Sequence, residues 1–98
     1  MFLYPKSKKC MSRVVFTRHS LKDLDKIGNV DRKRVLAKLE QLTVPLPNFL
    51  DIKILSGTKG YYRLRVGQVR VIFEIDQKMN QIWIRGVGYR GGIYRIFN

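Results

Sequence analysis

Acidic side chains are scarce in this chain. Seven Asp and Glu stand against 20 Lys and Arg in 98 residues, a formal net charge of +13. Like charge at this density repels itself and works against a compact state. A polyanionic partner is the natural counterweight, with nucleic acid ahead of an anionic membrane surface or an acidic protein. Cysteine is nearly absent: Cys10 stands alone, which excludes an intramolecular disulfide and fits a reducing, cytoplasmic setting. His19 is the single histidine, so the ligands of a zinc site are missing and no metal is expected. Cys10 lies in a basic stretch away from His19, which argues against a catalytic thiol. No run approaches the roughly 20 apolar residues of a bilayer-spanning helix. The opening MFLYPKSKKCMSR is basic and has no apolar h-region, unlike a signal peptide.

What is present is ordinary globular material. Hydrophobic residues make up 45%, too many for a disordered chain, and the length suits one domain with one core. Residues 1–11 read as a basic tail and residues 12–98 as a single domain.

The stretch GYYRLRVGQVRVIFEID, Gly60 to Asp76, reads as a β-hairpin turned by Gly67-Gln68, with glycine at the first central position. That register sets Val66 against Val69, Arg65 against Arg70 and Leu64 against Val71. Side chains alternate across a strand. One face then carries Tyr62, Leu64, Val66, Val69, Val71, Phe73 and Ile75; the other carries Tyr61, Arg63, Arg65, Arg70, Ile72 and Glu74. Two arginines directly opposite each other are destabilising, and a sheet that gathers three is expected to hold them for an anionic ligand.

Around the hairpin, Arg13–Thr17 is short and β-branched, a first strand. Ser20 reads as the N-cap of a first helix, with Asp23 completing a capping box and Leu21, Leu24 and Ile27 on one face. Asp31 reads as the N-cap of a second helix carrying Val35, Leu36, Leu39 and Leu42, stopped by Pro45 and Pro47. The basic outer faces, with Lys22, Lys26, Arg32, Lys33 and Lys38, read as solvated. An extended piece at Ile52–Leu55 precedes the hairpin, and Ile82–Val87 follows it as another strand. Tyr62, Phe73 and Trp83 read as core. The expected architecture is α+β: a small, twisted, mainly antiparallel sheet with a two-helix hairpin on its apolar face. The arginine face is left open to solvent or ligand.

With these elements in order, the chain resembles the RelE/ParE superfamily of toxins from type II toxin–antitoxin pairs. The resemblance runs from about Arg13 to Tyr94. It is carried by Leu21-Lys22-Asp23-Leu24, Lys53-Ile54-Leu55-Ser56-Gly57, Tyr62 to Gly67, Arg70 to Asp76, Val87-Gly88-Tyr89-Arg90 and Tyr94-Arg95. Basic residues on the central strands, with an arginine and a tyrosine near the C-terminus, place it nearer the RelE branch than the ParE branch. RelE-like toxins cleave mRNA in the ribosomal A site; ParE-like toxins poison DNA gyrase. The resemblance implies a cytoplasmic, metal- and cofactor-independent endoribonuclease whose partners are the ribosome, mRNA and an acidic antitoxin that is partly disordered when free. It does not imply a membrane partner.

The implied catalytic set is Arg63, Arg65, Arg70, Arg90 and Tyr94, with Tyr89 and Glu74 as weaker members. RNA contacts fall to Arg63, Arg65, Arg70, Tyr61 and Arg95. Where many relatives carry a histidine before the last arginine, this chain has Tyr89, and arginine effectively never gives up its proton. Arginines can stabilise the extra negative charge of a phosphoryl transition state. The general acid and base are sought among Tyr94 and Tyr89, whose phenolates nearby guanidinium charge would favour, with Glu74 as a weaker base. Two other readings remain open from sequence: a ParE-like gyrase poison, and a non-catalytic RNA-binding or decayed toxin domain.

Overall fold

The computed structural model describes residues 13–55, 57 and 60–89, together with the backbone of residues 2–4. Six strands and two helices follow in the order β1 (Phe2–Tyr4), β2 (Arg13–Phe16), α1 (Arg18–Lys26), α2 (Asn29–Glu40), β3 (Ile52–Ile54), β4 (Tyr61–Val66), β5 (Val69–Asp76) and β6 (Gln81–Tyr89). They form one sheet in the order β1-β2-β6-β5-β4-β3, antiparallel except where β2 runs parallel to β6. The expected α+β architecture is the observed one. β1 lies within the stretch read as a basic tail, and its pairing with β2 is a feature the sequence reading missed.

The β4–β5 hairpin has the expected register, including Arg65 opposite Arg70. Gly67 takes a φ of 62°, the left-handed value that the first central position of a tight hairpin turn demands. On the helix side, Leu64, Val71 and Phe73 are fully buried against Val35, Leu39 and Leu42 of the α2 segment and Leu24 and Ile27 of the α1 segment. Val14, Phe16, Ile82 and Ile84 complete this core. Tyr62 stacks on Phe73 with ring centroids 5.3 Å apart.

The helix termini differ from the reading. Thr17, not Ser20, is the N-cap of α1: its Oγ1 accepts from the Ser20 backbone N–H at 3.1 Å, while the buried Ser20 hydroxyl donates to the Thr17 carbonyl at 2.8 Å. The helix thus begins one turn earlier than Ser20 suggests. Gly28 caps α2 and Asp31 falls within its first turn, where a carboxylate still favours the helix dipole. Arg32 is not a solvated outer residue. Its guanidinium donates to the carbonyls of Leu24 and Ile27 at 3.0 and 3.2 Å, satisfying groups that the end of α1 leaves unpaired.

The β5–β6 pair carries a bulge. Ile72 lies opposite Gly86 and Phe73 opposite Ile84, so Arg85 is the extra residue. The backbone N–H of Val87, just past the bulge, donates to Asp23 Oδ2 on α1 at 3.0 Å. Asp23 therefore ties helix to sheet instead of closing a capping box.

Candidate nucleic-acid interface

Strand alternation carries Tyr61, Arg63 and Arg65 of β4 and Arg70, Ile72 and Glu74 of β5 to the face away from the helices. The bulge adds Arg85 from β6, next to Trp83. This face is not uniformly open, as the sequence reading held. Ile72 is fully buried and Val15 is 4% exposed, both outside the main core cluster. Arg63 keeps only 17% of its side chain exposed.

The arginines differ in how their donors are used. Arg63 lies 3.8 Å from the Asp51 carboxylate, a loose pair whose acid is half exposed. Arg65 donates from Nε to the Gly67 carbonyl at 3.3 Å, bending back over its own turn. No carboxylate lies within ion-pair distance of Arg65 or Arg70 among the described residues. Nε of Arg63 and Nη1 of Arg70 are buried without a hydrogen-bond partner among the described residues. A buried donor left unpaired costs about 1–3 kcal/mol, and more when charged. Guanidinium groups held in this way match phosphate oxygens.

At the hairpin tip, Arg65, Gly67, Gln68, Arg70 and Tyr89 line a hollow of about 310 Å³. Arg34 reaches over from α2, its Nη1 4.0 Å from where a side chain on Gly67 would begin. Tyr89 borders this hollow, yet its hydroxyl donates to Asp31 Oδ2 at 2.7 Å. That hydrogen bond to a carboxylate raises the phenol above its usual pKa of 10.0. The direction is opposite to the expected phenolate, because the nearest charge to the hydroxyl is an acid. Tyr89 is thus held as a proton donor.

Glu74, the other weaker base candidate, is held by Arg85, which reaches it through both Nε and Nη2. The guanidinium of Arg85 also lies 5.7 Å from the Trp83 ring centroid. Trp83 is therefore not a core residue: it is half-buried on the arginine side, with its indole N–H donating to Gln81 at 3.2 Å. Arg85 escaped the sequence reading, and Trp83 reads there as core. The signal available for Arg85 was the closely spaced pair Gly86 and Gly88, since glycine inside a strand often marks a bulge. Arg90, Tyr94 and Arg95 lie outside the described residues. His19 sits on α1, its Nε2 3.4 Å from Asp23, away from the arginines.

Comparison with known proteins places this fold. Residues 14–94 match the family described as ParE toxin of type II toxin-antitoxin system, parDE. The chain belongs to the RelE/ParE superfamily of type II toxin–antitoxin toxins. Toxin RelE3 of Methanocaldococcus jannaschii is 35% identical over 88 residues, covering 87% of this chain and 98% of that protein. The RelE chain of the RelB–RelE antitoxin–toxin complex from Methanococcus jannaschii superposes with a TM-score of 0.71 at 32% identity, covering 86% of this chain and 99% of that one. The archaeal RelE–RelB complex from Pyrococcus horikoshii follows at 0.68 and 29% identity, over 83% and 97% of the two chains. Among the described residues no helix is long and apolar enough to cross a membrane.

Proposed function

We propose that this toxin is a ribosome-dependent endoribonuclease that cuts mRNA in the A site. The observation that carries the reading is the pair of buried, unpartnered guanidinium nitrogens on one sheet face, Arg63 Nε and Arg70 Nη1. Among the described residues they are donors without acceptors, in a chain with a net charge of +13. In the reaction the ribose 2′-oxygen bonds to phosphorus and the bond to the 5′-oxygen breaks. The proton of the 2′-OH is lost and another is delivered to the leaving oxygen, giving a cyclic phosphate and a 5′-OH. Arg63, Arg65 and Arg70 stabilise the phosphorane charge, joined by Arg90. Tyr94 is the remaining proton acceptor, since Tyr89 is engaged by Asp31 and Glu74 by Arg85. Tyr61 and Arg95 contact RNA beside the scissile bond. A cognate antitoxin, acidic enough to cover this face, is the second partner; two of the archaeal relatives were crystallised with RelB.

Ribosomes programmed with a defined mRNA and supplied with purified protein test this. The expected result is cleavage within the A-site codon with 5′-OH ends. Binding without cleavage overturns it in favour of a non-catalytic RNA-binding domain. The family match to ParE supports a second reading, gyrase poisoning. Growth arrest with intact mRNA and accumulating DNA breaks selects that one.

A further inference from the structure

Beside the arginine cluster, and outside it, Trp83, Arg85, Glu74, Asp76, Gln77 and Lys78 line an open cleft of about 620 Å³. Three features make it more than a fold at the end of a hairpin. Trp83 is the only tryptophan in the chain, and it stands half-buried on this side of the sheet, apart from the helix-side core. The β6 bulge places Arg85 on the same side, and Glu74 and the indole together hold its guanidinium in place. The cleft also continues the arginine face: Glu74 follows Arg70 and Ile72 on one side of β5, ~13 Å from Arg70 at about 3.3 Å per residue. A single strand of RNA lying across Arg63 and Arg70 would reach it within a few nucleotides.

We propose that this cleft is a nucleobase subsite of the toxin, taking one base of single-stranded RNA that carries an exocyclic amino group. The ligand class rests on the RNA reading of the arginine face. Aromatic rings bind bases by stacking, and an adjacent guanidinium extends the platform. The carboxylates choose among bases, because ionised Asp and Glu only accept hydrogen bonds. Asp76 uses Oδ1 to accept from the Met79 backbone N–H at 3.2 Å, which fixes its orientation at the mouth of the turn and leaves Oδ2 for a ligand donor. Cytosine and adenine offer an amino donor there; uracil offers a carbonyl instead. Lys78, exposed on the turn, takes the neighbouring phosphate.

The lone tryptophan makes the test direct. The full-length protein is titrated with hexacytidylate and with hexauridylate, reading Trp83 fluorescence and the anisotropy of labelled RNA together. Strong quenching by the cytidine oligomer is expected, with binding several-fold tighter than the uridine oligomer. Trp83→Leu is expected to weaken cytidine binding on the order of 10-fold, while Trp83→Tyr keeps most of it. Saturation of anisotropy without quenching overturns the subsite, as does absence of RNA binding. If Trp83→Leu fails to fold, the unmodified protein's quenching decides alone. A-site cleavage by a protein whose Trp83 is never quenched removes the subsite and leaves the ribonuclease. Quenching in a protein that never cleaves does the reverse.

Discussion

The two faces of the central hairpin are built from alternate residues of the same strands, yet they follow opposite rules. On the helix side Leu64, Val71 and Phe73 are fully buried against two helices. On the other side Arg65 faces Arg70 across the ladder, and buried guanidinium nitrogens lack partners among the described residues. Burial of apolar area near 25 cal/mol per Å² supplies the folding energy on the first face. On the second face, repulsion and unpaired donors act against folding. On the proposed reading, a locally unfavourable charge arrangement persists where another molecule completes it.

Substitutions on each face can break or sharpen this contrast. Phe73→Ala removes a fully buried ring that also stacks on Tyr62. It is expected to cost about 3–5 kcal/mol, a large part of the stability of a small domain, read from urea denaturation. Thr17→Ala removes the cap of α1, and a loss of about 1 kcal/mol is expected in the same measurement. Arg65→Gln has the opposite sign. Relief of the cross-strand repulsion is expected to raise stability by about 0.2–1 kcal/mol, with a larger gain at low salt. A loss instead would show that the bond from Arg65 to the Gly67 carbonyl outweighs the repulsion.

The smallest effect concerns Tyr89. Its pKa is raised in the fold by the Asp31 hydrogen bond, so the neutral phenol is the stabilising form. That contribution is present through neutral pH and up to the unfolded value of 10.0, and is lost as pH rises through the higher folded value. The difference in melting temperature between wild type and Tyr89→Phe is therefore expected to hold at pH 8 and shrink above pH 10.

The contrast between the faces was legible in sequence because it is local. Gly67 fixed the turn, the turn fixed the register, and alternation sorted apolar from basic residues. The helices were equally legible from the spacing of Leu21, Leu24 and Ile27 and of Val35, Leu39 and Leu42. What escaped depends on pairing across the chain. Thr17 and Ser20 both suit a cap, and the parallel β2–β6 pairing, whose Thr17 N–H and hydroxyl both donate to the Ile84 carbonyl, selects Thr17. Trp83 reads as core by hydrophobicity, but its place opposite Glu74 turns it to the arginine side. Asp23 reads as a local cap and instead accepts from Val87, 64 residues away.

The central claim is that the arginine face serves the reaction and not the fold. Arg70→Ala tests it when A-site mRNA cleavage and urea denaturation are measured on the same preparation. Cleavage reduced on the order of 10²-fold with stability unchanged or slightly raised is the predicted result. Undiminished cleavage, or a cleavage loss that merely tracks unfolding, would contradict it.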